Sequence, residues 1–331
     1  MNNVLWQPAA SKDRLFARAD LLKKIRIFFE QKEVLEVETP ILSHAAGSDP
    51  SLGVIPASYQ ADSHQKEQTL FLQTSPEFAM KRLLASGSGA IFQICKSFRN
   101  AEQGARHNPE FTLLEWYQPG FDEYQLMDEV MDLVQFVMQS LSPEVIYPKE
   151  KWQRYSYQSL FEQHLGINPH TVELEDLVDL AKSTIDIELE HASKDTWLEL
   201  LFSHLIEPQL QDPVFIYEYP ATQAALAKIE INSERIEVAR RFELVIEGME
   251  IANGYYELTD VNEQRRRFSY DQKVRLEQQL NQNPIDENLL AALQSGLPSC
   301  SGVALGLDRL LMLICKARSI DEVLAFPLNR A

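Results

Sequence analysis

The chain has 331 residues, 45% of them hydrophobic and 24% charged, and its 49 acidic against 31 basic side chains give a formal net charge of −18. The length allows one large domain or two small ones, and the composition is that of an ordinary soluble globular protein. The acidic balance argues against RNA or DNA as the main partner and favours a basic protein partner. No stretch reaches the length of a membrane span and the first residues carry no signal-peptide pattern, so the cytoplasm is the expected compartment. Cys95, Cys300 and Cys315 lie in apolar or small-residue surroundings without metal-ligand spacing, as free thiols in a reducing compartment would.

Residues 13–31 place Leu15, Leu22, Ile25 and Phe29 near one helical face, with Ser11 or Asp13 as N-cap. In residues 34–40, Leu35 and Val37 alternate with Glu36 and Glu38 until Pro40 ends strand pairing. This helix and strand can be a plain structural unit or a dimer interface. Residues 41–69 are polar and irregular, predicting loops and short strands. Residues 70–87 read as strand, turn and helix, with Ser75 as cap, Pro76 at the first helical position and Glu77 in the first turn. Glu77 is either a helix-dipole partner or a carboxylate that receives an ammonium group.

Residues 91–98 form an apolar run of strand length, and residues 111–117 are an aromatic-rich returning strand. The two-residue period of a strand puts Phe111, Leu113, Glu115 and Tyr117 on one face. That face offers an aromatic plate, a carboxylate and a phenol, and the loop beside it carries Arg99, Arg106 and His107. The first set could stack a flat heterocycle and the second neutralise its phosphates; a hairpin with a solvated charged loop is the plain alternative.

Residues 122–141 show Leu126, Val130, Leu133, Val134 and Val137 at helical spacing. Residues 142–215 read as a mainly helical insertion, with helices near 173–182 and 195–206. Sheet character returns at 214–219 and 235–259. A turn at Glu247-Gly248 pairs 242–246 with 249–253, making Glu243 and Glu250 diagonal neighbours on one face. Such carboxylates repel unless a cation joins them, and Mg²⁺ commonly takes one or two carboxylates plus substrate phosphates. Solvated edge glutamates are the alternative. Asn253-Gly254 is a second turn signal, followed by Glu257. In residues 301–317, Gly302, Ala304 and Gly306 are small residues on a strand that admit a ligand or another backbone closely. Asp308 is positioned to cap the apolar helix that follows. Arg309 in its first turn opposes the helix dipole, favouring a bound anion nearby or an Arg–Asp surface pair.

Together these units resemble the catalytic core of class II aminoacyl-tRNA synthetases, specifically the lysyl branch. The helix and strand ending at Pro40 look like motif 1, FRN…RHNPEFTLLEWY (98–117) like motif 2 and GVALGLDR (302–309) like motif 3. TSPEFAMKRLL (74–84) and EIANGYYEL (250–258) match lysyl-synthetase segments. The resemblance implies an α+β fold: a single catalytic domain over 1–331, mostly antiparallel sheet flanked by helices, with the insertion at about 142–215. It implies ATP and Mg²⁺, and a homodimer formed through the segment ending at Pro40.

Position by position, it gives Arg99 the α-phosphate and the charge developed as a carboxylate attacks it, with Arg309 as the second catalytic residue, covering adenine or the triphosphate. Asn100, Ala101, His107 and Asn108 would lie along the ATP, and Phe111 would stack on adenine. Glu243 and Glu250 would carry Mg²⁺, with backbone contributions from Leu244 and Gly306. Ser75, Pro76 and Glu77 would receive the amino group near the reacting carboxylate. Tyr117 and Glu257 would read the distal ammonium of a lysine-like substrate, with Glu250 and Ala304 also lining its place.

Three departures separate the chain from lysyl-tRNA synthetases. No room for an anticodon-binding OB domain precedes Asp13, the charge is unhelpful for gripping tRNA, and Ala304 stands where those enzymes have Gly. The extra methyl crowds the amino-acid pocket, a misfit of roughly 1–3 kcal/mol. In these respects the chain is similar to the elongation factor P–(R)-β-lysine ligase family, which implies activation of (R)-β-lysine, or lysine, and transfer to a lysine of elongation factor P, with no membrane and no tRNA. The other readings are a catalytically silent lysine-sensing paralogue and an anticodon-independent aminoacyl-tRNA ligase. Motif 2 also shifts by one: Ala101 occupies the usual Glu position and the acid is Glu102. In a strand that shift would turn the acid to the other face, whereas a loop can absorb it.

Overall fold

Ser11 starts the first helix by accepting the Arg14 N–H, as an N-cap serine does, in a computed structural model that describes residues 6–63, 66–142, 144, 147–185, 187, 189 and 192–331. In chain order the elements are α1 (Lys12–Gln31), β1 (Leu35–Glu36), β2 (Leu42–Ser43), β3 (Pro56–Tyr59), β4 (Gln68–Leu72), α2 (Glu77–Ala85), β5 (Ile91–Phe98), β6 (Glu110–Pro119) and α3 (Glu123–Leu141). There follow β7 (Gln153–Ser156), α4 (Tyr157–Leu165), α5 (Leu174–Thr184), α6 (Lys194–Leu201), β8 (Val214–Pro220), β9 (Ile229–Ile231), β10 (Glu237–Ile246) and β11 (Met249–Tyr256). The last are α7 (Val261–Glu277), α8 (Glu287–Gly296), β12 (Cys300–Gly306) and α9 (Leu307–Cys315). Among the described residues no helix is long and apolar enough to cross a membrane.

The chain divides into two compact units. The first comprises Met1–Phe121, Glu129–Ile146 and Thr259–Ala331, and the second Asp122–Asp128 and Tyr147–Leu258. In the first, β1, β5, β6 and β12 lie side by side, β1–β5 parallel and the other pairs antiparallel. A small antiparallel sheet, β2-β4-β3, accompanies them. Phe29 of α1 stacks on Phe92 of β5 at 4.5 Å and meets Trp116 of β6 edge-on at 5.4 Å, which seats the helix on the β5–β6 hairpin. The five apolar residues expected on α3 are all buried. β1 is shorter than the alternation suggests: Val37 still donates to Phe92, but Pro40 has no N–H with which to extend the pairing.

In the second unit the strands run β11-β10-β8-β7, with β9 also on β10 and only β7–β8 parallel. Tyr157, Phe161, Leu177, Trp197 and Leu201 from α4, α5 and α6 pack into a core with Val214, Ile216 and Val245 from the strands. The Glu247-Gly248 turn is present, both residues at positive φ (52° and 62°), as a two-residue hairpin requires. Asn253-Gly254 is not a turn. Both residues sit inside β11, opposite Glu243 and Phe242, because a full antiparallel ladder outweighs the local preference of Asn-Gly for turning.

Candidate active site

The β5–β6 hairpin is in register from Ile91↔Tyr117 to Phe98↔Glu110, and the Arg99 N–H adds one more rung to Pro109 at 2.9 Å. Beyond it the Asn100 N–H donates to the Gly53 carbonyl at 2.9 Å, and a Cβ on Gly53 would come within 2.5 Å of the Asn100 oxygen. Only glycine permits that approach. Ala101 then takes φ +62°, a left-handed turn that reorients the chain and brings the Glu102 carboxylate to 3.7 Å from the Arg99 guanidinium. The turn at Ala101 thus directs the Glu102 side chain toward Arg99. Arg99 lies over the Phe111 ring at 5.1 Å, and its Nε is buried without a hydrogen-bond partner among the described residues. A buried guanidinium N–H that is unpartnered suits an incoming phosphate oxygen.

The loop folds back through a Gly104–His107 bridge. Arg309 Nη2 lies 2.7 Å from His107 Nε2, which must accept, so the ring proton sits on Nδ1. Arg309 stands at the start of α9 with its side chain against the space where Gly306 lacks a Cβ. Asn108 is buried and both ends of its amide are used: Nδ2 donates to the Glu110 carbonyl at 2.6 Å and Oδ1 accepts the Leu328 N–H at 3.1 Å. Asp308 does not cap α9. Its buried carboxylate accepts the Thr112 N–H of β6 at 2.7 Å and pairs with Arg18 of α1, tying three elements together.

Below the hairpin loop, one row across the sheet reads Gln93, Glu115, Ala304 in facing positions of β5, β6 and β12. Glu115 is completely enclosed. Ser75 donates to one of its oxygens at 2.7 Å and the Tyr117 hydroxyl to the other at 2.6 Å. Burial, then the nearby charge of Glu77, push its carboxyl up to about 8, against the pull of Tyr117, Ser75 and Lys81. Ser75 Oγ also accepts the Glu77 N–H at 3.0 Å, but from the position before the cap: Pro76 is the cap residue, where the sequence suggests Ser75, and α2 begins one residue later than expected. Glu77 already holds an ammonium group: Lys81, itself buried, reaches it at 2.6 Å. A second cation entering this cluster would meet Glu115, a buried carboxyl whose ionisation Tyr117, Ser75 and Lys81 support only in part.

In the second unit Glu243 and Glu250 fall on one face of the β10–β11 hairpin, with Leu244 at the point where the register shifts by a residue. Glu243 pairs with Arg241 and accepts from Asn253 at 3.1 Å. Burial raises its carboxyl above the ordinary range, Arg241 opposes that rise, and the charge of Glu250 adds to it. A cation joining the two carboxylates removes their repulsion. Two carboxylates on one face are a donor set that suits a Mg²⁺ drawing its remaining ligands from phosphate oxygens and water. Glu257 ends the strand region, buried, opposite Ala227.

Glu115, Lys81 and Arg241 join the site as neighbours of the expected residues. The two-residue period already puts Glu115 on the face with Tyr117; Lys81 and Arg241 become visible only through their partners.

A profile of the family "tRNA synthetases class II (D, K and N)" matches residues 4–330. The chain is 47% identical over 328 residues to the elongation factor P–(R)-beta-lysine ligase of Pasteurella multocida strain Pm70, covering 98% of each chain. It is 48% identical to the protein of that name from Mannheimia succiniciproducens, again over 98% of each chain. Against that of Pseudoalteromonas translucida it is 48% identical over 335 residues and 100% of each chain.

Proposed function

Because the chain belongs to the class II tRNA synthetases of the D, K and N group and, within them, to the elongation factor P–(R)-β-lysine ligase family, we propose that it activates (R)-β-lysine with ATP and transfers it to elongation factor P. The near-half identity over essentially the whole of each chain carries this reading. In the first step a carboxylate oxygen attacks the α-phosphorus, the P–O bond to the leaving group breaks, and pyrophosphate departs. In the second the neutral ε-amine of a lysine on elongation factor P attacks the carbonyl, AMP departs, and the amine loses a proton.

Arg99 stabilises the charge that grows on the α-phosphoryl oxygens, with its buried Nε, unpartnered among the described residues, as one donor. Phe111 and Arg309 confine the nucleotide, and the loop residues Asn100, Ala101, His107 and Asn108 shape its seat. Glu243 and Glu250 would hold Mg²⁺, which would neutralise phosphate charge. Tyr117, Glu115 and Glu257 read ammonium, and Glu77 holds its place through Lys81. The chain acts as a homodimer through the segment ending at Pro40, in the cytoplasm and without tRNA.

Ala304 faces Glu115 directly across the β6–β12 ladder, so its methyl sets the depth at which an amine can sit. Ala304→Gly is expected to raise use of α-lysine relative to (R)-β-lysine by roughly tenfold or more, the worth of a methylene-sized change in a pocket. Pyrophosphate exchange with each isomer reads the ratio; an unchanged ratio removes Ala304 from the selectivity.

The function itself is tested by the intact mass of elongation factor P after incubation with enzyme, ATP and each lysine isomer. Gain of one β-lysyl group with the (R)-β isomer is expected. Exchange without any mass gain would sink the acceptor, and absence of exchange with every isomer would sink the ligase.

A further inference from the structure

Two of the bonds that hold the 99–109 loop come from the end of the chain. The Ile320 N–H donates to the Ala105 carbonyl at 2.8 Å, and the Leu328 N–H donates to Asn108 Oδ1 at 3.1 Å. Asn108 relays the second bond back into β6, because its Nδ2 donates to the Glu110 carbonyl, one residue from Phe111. Between the two bonds, loop and tail separate around a hollow of about 240 Å³, bounded by residues 103–105, 107 and 108 on one side and by Ser319, Asp321 and 327–329 on the other. Across that hollow the hydrogen bonds, rather than side-chain packing, join loop to tail.

The tail is itself firmly held. Ser319 and Glu322 close a reciprocal capping box, Arg14 of α1 pairs with Glu322 at 2.7 Å, and the Ala9 and Ala10 N–H groups donate to Ala325 and Leu324. A segment anchored on α1 at one end and bonded to the loop at the other is a strap.

We propose that residues 318–330 act as a positioning strap for the nucleotide loop, with the bond from the Leu328 N–H to Asn108 as its working contact. The inference rests on the ATP-activating reading above and adds to it a group that never touches the substrate. An ordered loop binds ATP without first losing conformational freedom, so loosening the strap raises the KM for ATP and leaves the chemical step alone.

Leu328→Pro removes that one N–H. Leu328 is the first residue of a short 3-10 turn, where proline is tolerated, and Pro327 before it already has the extended ψ of 165° that proline requires of its predecessor. Its side chain is exposed, and Leu328→Ala keeps the N–H. In pyrophosphate exchange, Leu328→Pro is expected to raise the KM for ATP roughly three- to tenfold with kcat within about twofold, the worth of one hydrogen bond. Leu328→Ala should match the parent protein. Equal KM values for the two variants, or a fall confined to kcat or to melting temperature, would overturn the strap while leaving the activation reading intact.

Amide hydrogen exchange on the unaltered protein supplies a second measurement that needs no variant. ATP should slow exchange in 318–330 as well as in 99–111, because coupling between two sites is reciprocal. Slowing confined to 99–111 overturns the strap, and no ATP effect anywhere overturns the activation reading with it.

Discussion

Arg99→Ala is expected to reduce amino-acid-dependent pyrophosphate exchange to below about one-hundredth of the parent rate, the loss typical when a preorganised donor to a developing anion is removed. The side chain has the attributes the role needs: its backbone is held by the last rung of the β5–β6 hairpin, its guanidinium lies over Phe111, and its Nε is buried without a hydrogen-bond partner among the described residues. The effect should fall on kcat more than on the KM for the amino acid, since the charge it meets is greatest in the transition state. Folding should be nearly untouched. The ion pair to Glu102 is long at 3.7 Å and partly exposed, so it contributes at most a few tenths of a kcal/mol. Arg99→Lys should fall between, keeping the charge without the planar fork. A melting curve and an exchange assay on the same preparation separate the possibilities; near-normal exchange in Arg99→Ala would refute the assignment.

The features most legible in the sequence are those whose cause is local. Ser11 caps α1 by reaching a backbone N–H three residues on, and β5 and β6 follow from short apolar and aromatic runs bounded by polar loops. The Glu247-Gly248 hairpin fixes the diagonal relation of Glu243 and Glu250 for the same reason. What stayed hidden depends on partners far along the chain. Asp308 looks like a helix cap because a carboxylate at a helix start usually is one, yet its partners are Thr112 and Arg18, 196 and 290 residues away. Asn253 looks like a turn residue because its commitment to Glu243 cannot be read locally. α7 leaves little trace in the sequence because its buried positions, Gln264, Phe268 and Arg275, are mostly polar and form no apolar period. The apparent mismatch at Ala101 shows the complementary limit: spacing compared letter by letter assumes a constant backbone, whereas a single left-handed residue moves Glu102 beside Arg99.

Glu115 makes the second large prediction. Burial, then the charge of Glu77, raise the Glu115 carboxyl well above the ordinary carboxylate range, to about 8, which favours the protonated form at neutral pH. The unfolded chain does not, so ligand-free stability falls as pH rises from about 4.5 to about 8 and levels off above. An ammonium ion entering the cluster reverses the preference, because the carboxylate form then has a cation to pair with. Binding of the amino-acid substrate at pH 7 should therefore release roughly one proton, and its KM should tighten as pH rises from about 6 to about 8. Titration calorimetry in two buffers of different ionisation enthalpy measures the proton directly. Glu115→Gln is close to isosteric and keeps an acceptor for Ser75 or Tyr117, so it should fold and lose the downward slope of stability with pH. It should also raise the KM for the amino acid by on the order of a hundredfold, the cost of leaving a buried ammonium without its carboxylate. If proton release persists undiminished in Glu115→Gln, another group supplies it. If the KM is unchanged as well, the enclosed carboxyl opposite Ala304 serves only the sheet.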